Sequence, residues 1–217
     1  MTQETLIDGP SVASLVRTLV SRGETVAFCE SLTAGLASAT VATVPGASNV
    51  LRGGMVTYAT DLKESLAGVP ASVLDTYGPV AAVTARHMAR GAREKCGATW
   101  GVALTGVAGP DPQNGHPVGE VHIAVSGPSR TVSHPAADIL ADVASGDAVV
   151  PTTQFALVPG ADEPVRVLVG QRQDIREHAV QAAIVAVLHE SDRENWENRE
   201  NRENRQETRE QNRGENR

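Results

Sequence analysis

Residues 25–35 read TVAFCESLTAG. The apolar run Thr25–Cys29 predicts a strand, the polar residues Glu30-Ser31-Leu32-Thr33 a turn, and Ala34–Thr43 a small-residue helix that closes before Pro45-Gly46. Strand, turn and helix in succession form the building unit of an α/β sheet. Upstream, Ser11–Arg22 places Val12, Leu15, Val16, Leu19 and Val20 on one helical face, opened by Pro10 and ended by Gly23. Downstream, strands are expected at Gly54–Ala59, Thr99–Leu104, Val118–Val125, Arg130–His134 and Val165–Val169. Helical patterns fall between them, at Asp61–Ala67, Pro70–Tyr77 and Val80–Lys95, and a last one follows at Asp174–Leu188. Strands alternating with helices predict an α/β layered fold for residues 1–190.

Residues 135–164 interrupt that rhythm with an Asp-rich, Pro-flanked stretch, read as an insertion that is partly loop. Residues 191–217 are an imperfect Asn-Arg-Glu repeat with one Trp and no aliphatic side chain. Such a segment buries too little apolar surface to offset chain entropy, so a disordered tail or a frayed helical extension is expected.

The chain has 217 residues, 41% hydrophobic and 21% charged, enough to bury a core without staples. Aromatics are 3%, so that core must be built from Ala, Val and Leu. A net charge of −7 argues against a basic nucleic-acid footprint, and few aromatics argue against base-stacking platforms. No apolar run reaches membrane-spanning length, and residues 1–9 carry no leader-like stretch. Two cysteines exclude a disulfide scaffold, and a cytoplasmic protein with reduced thiols is expected. The only lysines are Lys63 and Lys95, in a chain that otherwise uses Arg. A Lys that Arg has not replaced is worth inspecting for chemistry that needs proton loss.

Four places have residues suited to chemistry. At the first, a strand end meets a helix start, so Ser31 would sit beside free backbone N–H groups. Ser31 reads either as a nucleophile with Thr33, Ala34 and Gly35 amides as oxyanion donors or as a plain helix cap. Cys29 is a rival nucleophile or a small buried hydrophobe. At the second, Tyr58 closes a strand and Lys63 lies one turn beyond, either a buried base for Ser31 or a solvated surface residue. At the third, Thr105-Gly106-Val107-Ala108-Gly109-Pro110 follows a buried strand, where glycines let backbone approach a ligand or make a tight connection. At the fourth, Gly170-Gln171-Arg172 leads into a helix, with Arg176 a turn later. Arg172 could grip a phosphate or simply face solvent. The histidines lack metal-ligand spacing, so no metal is expected, and Glu120 reads as a surface residue at a sheet edge.

Taken in order, Glu30-Ser31-Leu32-Thr33-Ala34-Gly35, Tyr58 with Lys63, Thr105 to Pro110, Pro117-Val118-Gly119-Glu120-Val121 and Gly170-Gln171-Arg172 resemble the CinA C-terminal domain family, the nicotinamide mononucleotide deamidases. The resemblance spans about residues 8–189 and is closest to the stand-alone form. It implies a three-layer α/β/α sandwich with a central mixed sheet. It implies hydrolysis of the carboxamide of nicotinamide mononucleotide to nicotinic acid mononucleotide and ammonia, with no cofactor and no metal. By the same resemblance Ser31 is the nucleophile and Lys63 the base, Tyr58 and Thr105 line the site, and Arg172 holds the phosphate. Thr33, Ala34, Gly35, Gly106 and Gly109 bind substrate. The implied partners are a small nucleotide and a second copy in a homodimer, without nucleic acid or membrane. A non-catalytic nucleotide-binding module and an amidase for another small amide are the alternatives. Many relatives read Thr-Gly-Gly where this chain has Thr33-Ala34-Gly35, so a local difference in geometry is expected there.

Overall fold

The computed structural model describes residues 11–144, 155–158 and 165–214. The chain enters through α1 (Val12–Arg22), whose Ser11 and Ser14 cap each other in a reciprocal box and whose end is set by Gly23 in the left-handed region. Then come β1 (Val26–Glu30), α2 (Leu36–Ala42), β2 (Leu51–Val56), α3 (Thr60–Ser65), α4 (Ala71–Tyr77) and α5 (Ala82–Cys96). The second half holds β3 (Trp100–Gly106), β4 (Val121–Ser126), β5 (Thr131–Pro135), α6 (Ala136–Ala144), β6 (Phe155–Val158), β7 (Val165–Leu168) and α7 (Arg172–Gly214).

Five strands form one mixed sheet in the order β2-β1-β3-β4-β5. The first three are parallel, and β4 and β5 run antiparallel. A separate antiparallel pair joins β6 to β7. Every residue of β1 is buried, as expected of a parallel strand covered on both faces. Because side chains alternate along a strand, Val26 and Phe28 face one core and Ala27 and Cys29 the other. The Phe28 side also takes Trp100, Val102, Leu104, Ile123 and Val125, and is covered by α1, α2, α6 and α7. The Cys29 side is lined by alanines and covered by α5 through Ala85, Met88, Ala89 and Ala92. Small residues on that face bring helix and sheet close: a Cβ placed on Gly101 would lie 2.0 Å from the Ala89 carbonyl oxygen. The result is three layers, α/β/α.

Several boundaries differ from the sequence reading. The helix expected from Ala34 starts at Leu36, because residues 31–35 are held as a turn. The second strand is Leu51–Val56 rather than Gly54–Ala59. The Thr57 amide still bonds the Glu30 carbonyl, and then the chain leaves the sheet for α3. The strand expected from Val118 begins at Val121, since Gly119 is committed to the Val107 carbonyl and the Leu168 amide. Of the expected insertion, residues 145–154 and 159–164 lie outside the described residues. Its beginning belongs to the body: Ala136, Ala137 and Leu140 of α6 are buried in the larger core.

The boundary drawn at Ser191 is not a break in secondary structure. Helix α7 continues through it to Gly214. Ser191 is buried and donates to the Glu24 carboxylate at 3.1 Å, Arg22 pairs with Asp192, and Arg193 bonds Glu190 and Glu197. Polar contacts, not apolar burial, hold these first turns of the repeat. Among the described residues no helix is long and apolar enough to cross a membrane.

Candidate functional site

Ser31 stands immediately after β1, at the carboxyl edge of the parallel strands, where open α/β sheets place ligands. Its amide donates to the Leu104 carbonyl at 2.9 Å, so the sheet pairing itself positions it. Ser31 does not cap α2; Gly35 occupies that position with φ +95°. Ala34 before it adopts φ +50°, so the alanine takes the left-handed conformation it was expected to resist, and no change of backbone geometry is seen to follow from the missing glycine. A non-glycine residue there costs about 1–2 kcal/mol.

The turn is held by a residue to which the sequence reading gave no role. Glu30 is fully buried, and its carboxylate accepts from the amides of Gly35 (2.9 Å), Ala37 (3.0 Å) and Ser38 (2.9 Å) and from Ser38 Oγ (2.7 Å). It caps α2 from the preceding strand, with charge favourable to the helix N-terminus. Gly54 on β2 makes room, since a Cβ there would lie 2.2 Å from Ser38 Oγ. The signal available in sequence was a carboxylate at the end of an apolar strand, five residues before a glycine.

This arrangement corrects the expected oxyanion donors. The Ala34 amide bonds the Ser31 carbonyl at 3.1 Å, and the Gly35 amide is taken by Glu30. The amides of Leu32 and Thr33 have no hydrogen-bond partner among the described residues. Of the predicted Thr33–Gly35 set only the Thr33 amide is free, and Leu32 joins it. None of Thr33, Ala34 and Gly35 lines the cavity; Ser31 and Leu32 do. The Thr33 side chain is fully buried, with its hydroxyl unpartnered.

Lys63, on α3, is 1% exposed. Its Nζ donates to Ser31 Oγ at 2.9 Å and to the Thr57 carbonyl at 2.8 Å. The structure therefore brings together two residues 32 positions apart in sequence. Burial lowers the ammonium pKa from 10.5 to about 8, so a neutral amine is accessible near physiological pH. Cys29 is excluded as the nucleophile: its buried thiol sits 3.4 Å from Thr57 Oγ1, and burial pushes its pKa up to about 11.

The mouth of the cavity joins three other segments. Arg172, first residue of α7, reaches Tyr58 Oη at 2.7 Å and the Gly109 carbonyl at 2.5 Å. Tyr58 is 54% exposed. Thr105 lines the wall, but its hydroxyl donates to the Pro79 carbonyl at 2.7 Å. Gly106 and Gly109 also line it, and so do Asp111 and Gln113, which the sequence reading did not single out. Arg176 does not face the mouth. It donates to the carbonyls of Leu32 (3.1 Å) and Thr33 (2.8 Å), on the turn that follows Ser31. Glu120 is not a free surface residue: one carboxylate oxygen meets His116 Nδ1 at 2.9 Å and His122 Nε2 at 3.2 Å. Those two imidazoles hold its carboxyl below the usual range against the opposing effect of burial. Among the described residues no cluster of three His, Cys, Asp or Glu is disposed to hold a metal ion.

Fold and site together define an α/β/α protein with a buried serine–lysine pair at the carboxyl edge of its parallel strands. The sequence model of the CinA C-terminal domain matches residues 10–137, and the chain belongs to that family. It is 50% identical over 115 residues to a CinA-like protein of Frankia casuarinae. That match covers 53% of this chain and 27% of the relative, so the chain corresponds to a minor part of that longer protein. Among solved structures, the competence/damage inducible protein CihA of Agrobacterium tumefaciens aligns with a TM-score of 0.64 at 27% identity, covering 86% of this chain and 98% of that one. A competence-damaged protein (CinA) superfamily protein of Klebsiella pneumoniae aligns with a TM-score of 0.68 at 20% identity, covering 84% and 96%, and shares the fold.

Proposed function

We propose that this chain hydrolyses the carboxamide of a nicotinamide mononucleotide through a serine acyl-enzyme. The observation that carries the reading is the 2.9 Å contact between Ser31 Oγ and the Nζ of a buried lysine whose pKa has fallen to about 8. A primary carboxamide is a poor electrophile and needs an activated nucleophile and a site for its oxyanion. Neutral Lys63, fixed by its bond to the Thr57 carbonyl, takes the Ser31 proton as Oγ attacks the amide carbon. The developing oxyanion meets the unpartnered amide of Leu32, which lines the cavity beside Ser31. Protonated Lys63 returns its proton to the departing ammonia, and water then cleaves the ester by the reverse sequence. Arg172 at the mouth binds the phosphate as a guanidinium fork, exchanging its contacts with Tyr58 Oη and the Gly109 carbonyl for phosphate oxygens. The nucleotide identity of the substrate comes from the motif resemblance; the serine–lysine geometry supports amide hydrolysis more generally.

The test is ammonia release from nicotinamide mononucleotide by the purified protein, beside the Ser31→Ala and Lys63→Arg variants. Release by the wild type and its loss in both variants is expected, because Arg stays protonated. Full activity in Ser31→Ala would overturn the nucleophile assignment. Binding of the mononucleotide without turnover by the wild type would replace the reaction with a nucleotide-binding role.

A further inference from the structure

We propose that Arg176 is a positioning residue for this reaction: from α7 it fixes the turn that aims the Leu32 N–H group at the oxyanion. The inference rests on Ser31 being the nucleophile, as proposed above. A trans peptide carries its C=O and N–H in opposite directions. Arg176 Nε holds the Leu32 carbonyl at 3.1 Å, so the Thr33 N–H of the same peptide points away from the guanidinium. Arg176 Nη2 holds the Thr33 carbonyl at 2.8 Å, which sends the Ala34 N–H the other way, onto the Ser31 carbonyl at 3.1 Å. With the Ser31 carbonyl tied, the Leu32 N–H is turned away from it in the same manner. The direction of the Leu32 N–H thus follows from the guanidinium through the Thr33 carbonyl and the Ala34–Ser31 bond.

Two further observations make this more than packing. Among the described residues Arg176 has no carboxylate partner; its remaining bond is to Gln173 Oε1 at 2.6 Å. A half-buried charge is committed to backbone carbonyls rather than to an ion pair. Moreover, the turn contains Ala34 at φ +50°, a conformation that persists only where its surroundings over-determine it. Glu30 holds the far side, at Gly35, Ala37 and Ser38. Arg176 holds the near side, and without it Leu32–Ala34 can relax. A lysine cannot bridge two carbonyls with a planar fork.

The experiment compares wild type with Arg176→Ala and Arg176→Lys. Loss of one oxyanion donor costs about 10²–10³ in kcat; Arg176→Ala, which misaims that donor without deleting it, is expected to lower kcat about 10- to 100-fold with KM within about threefold. Arg176→Lys should fall between, and free guanidinium should restore Arg176→Ala in part. The rate at which a fluorophosphonate labels Ser31 is read in parallel, because it needs the same amide but no nucleotide. A labelled wild type that leaves nicotinamide mononucleotide intact would refute the substrate and still test Arg176. Labelling and kcat in folded Arg176→Ala within twofold of wild type would overturn the proposal. So would a change confined to KM, or a wild type that the probe does not label.

Discussion

Lys63 is costly to the fold, and that cost has a measurable pH signature. Its ammonium is 1% exposed, and burial takes its pKa from 10.5 unfolded to about 8 folded. Below pH 8 both states hold the proton, but the folded state holds it in a poorly solvating site. Each pKa unit corresponds to about 1.4 kcal/mol, so the charged lysine destabilises the fold by about 3 kcal/mol at pH 7. Between the two pKa values the unfolded chain binds more protons, and stability from this group therefore rises with pH across the window from 8 to 10.5. Lys63→Met keeps an unbranched chain in the slot and removes the titration. It also strands Ser31 Oγ and the Thr57 carbonyl, which lose the bonds from Nζ, at about 1–3 kcal/mol. The net change at pH 7 is therefore small, while the pH dependence is not. The expectation is that wild type gains about 2 kcal/mol on Lys63→Met between pH 7 and pH 10. Urea unfolding followed by tryptophan fluorescence, with Trp100 buried in the core, measures this at each pH. Parallel curves for the two proteins, differing in slope by less than about 0.5 kcal/mol over that range, would refute a lysine held against its solvation. The same titration predicts that turnover rises with pH through a midpoint near 8.

Glu30→Gln removes the charge and replaces one of the two acceptor oxygens with an NH2 donor facing the amides of Gly35 and Ala37 or of Ser38. A loss of about 2–4 kcal/mol is expected in denaturant unfolding, and a loss under 1 kcal/mol would mean the cap is dispensable. Ala34→Gly relieves a left-handed alanine at φ +50°. It should raise stability by up to about 1 kcal/mol after the entropy of the added glycine, and a clear drop in thermal midpoint would contradict that. Gly101→Ala puts a Cβ 2.0 Å from the Ala89 carbonyl oxygen. Helix α5 must shift, at about 1–3 kcal/mol by calorimetry or urea unfolding, and an unchanged midpoint would show that the helix is not seated as tightly as described.

The layered fold was legible because burial leaves a local trace. Val26 and Phe28 alternate with Ala27 and Cys29 along β1, and the α5 alanines recur at helical spacing, so patterns within a few residues report which surfaces are covered. Ser31, Tyr58, Lys63, Thr105 and Arg172 were legible as a set through the motif resemblance, and the cavity they share joins five segments of chain. The turn was not legible. Whether an amide at a strand-to-helix junction is free depends on what lies opposite, and both Glu30 and Arg176 act on backbone atoms. A carboxylate that accepts main-chain amides and a guanidinium that donates to main-chain carbonyls have no partner side chain whose identity could betray them. For the same reason the expected donors at Ala34 and Gly35 proved occupied, and Leu32, an apolar residue with nothing to mark it, carries a free one.

The register of α7 on the sheet follows from the same demand for fixed geometry. Arg172 and Arg176 lie one helical turn apart, so their side chains project from neighbouring positions on the helix, one to the cavity mouth and the other to the turn after Ser31. Any sliding or rotation of the helix would misplace both at once. Apolar burial of Ile175, Ala179, Val180 and Ala182–Leu188 fixes its depth on the sheet. Burial by small residues is weakly specific in register, because alanine fits many neighbours. The polar contacts at the far end supply what alanine lacks. Glu190, 4% exposed, takes a two-pronged bond from Arg130 at 2.9 and 3.0 Å, and Ser191 bonds Glu24, which also accepts from Trp100 Nε1 at 2.7 Å. These directional bonds tolerate little sliding along the axis. A helix anchored in register where the apolar body ends can therefore present two arginines accurately where it begins.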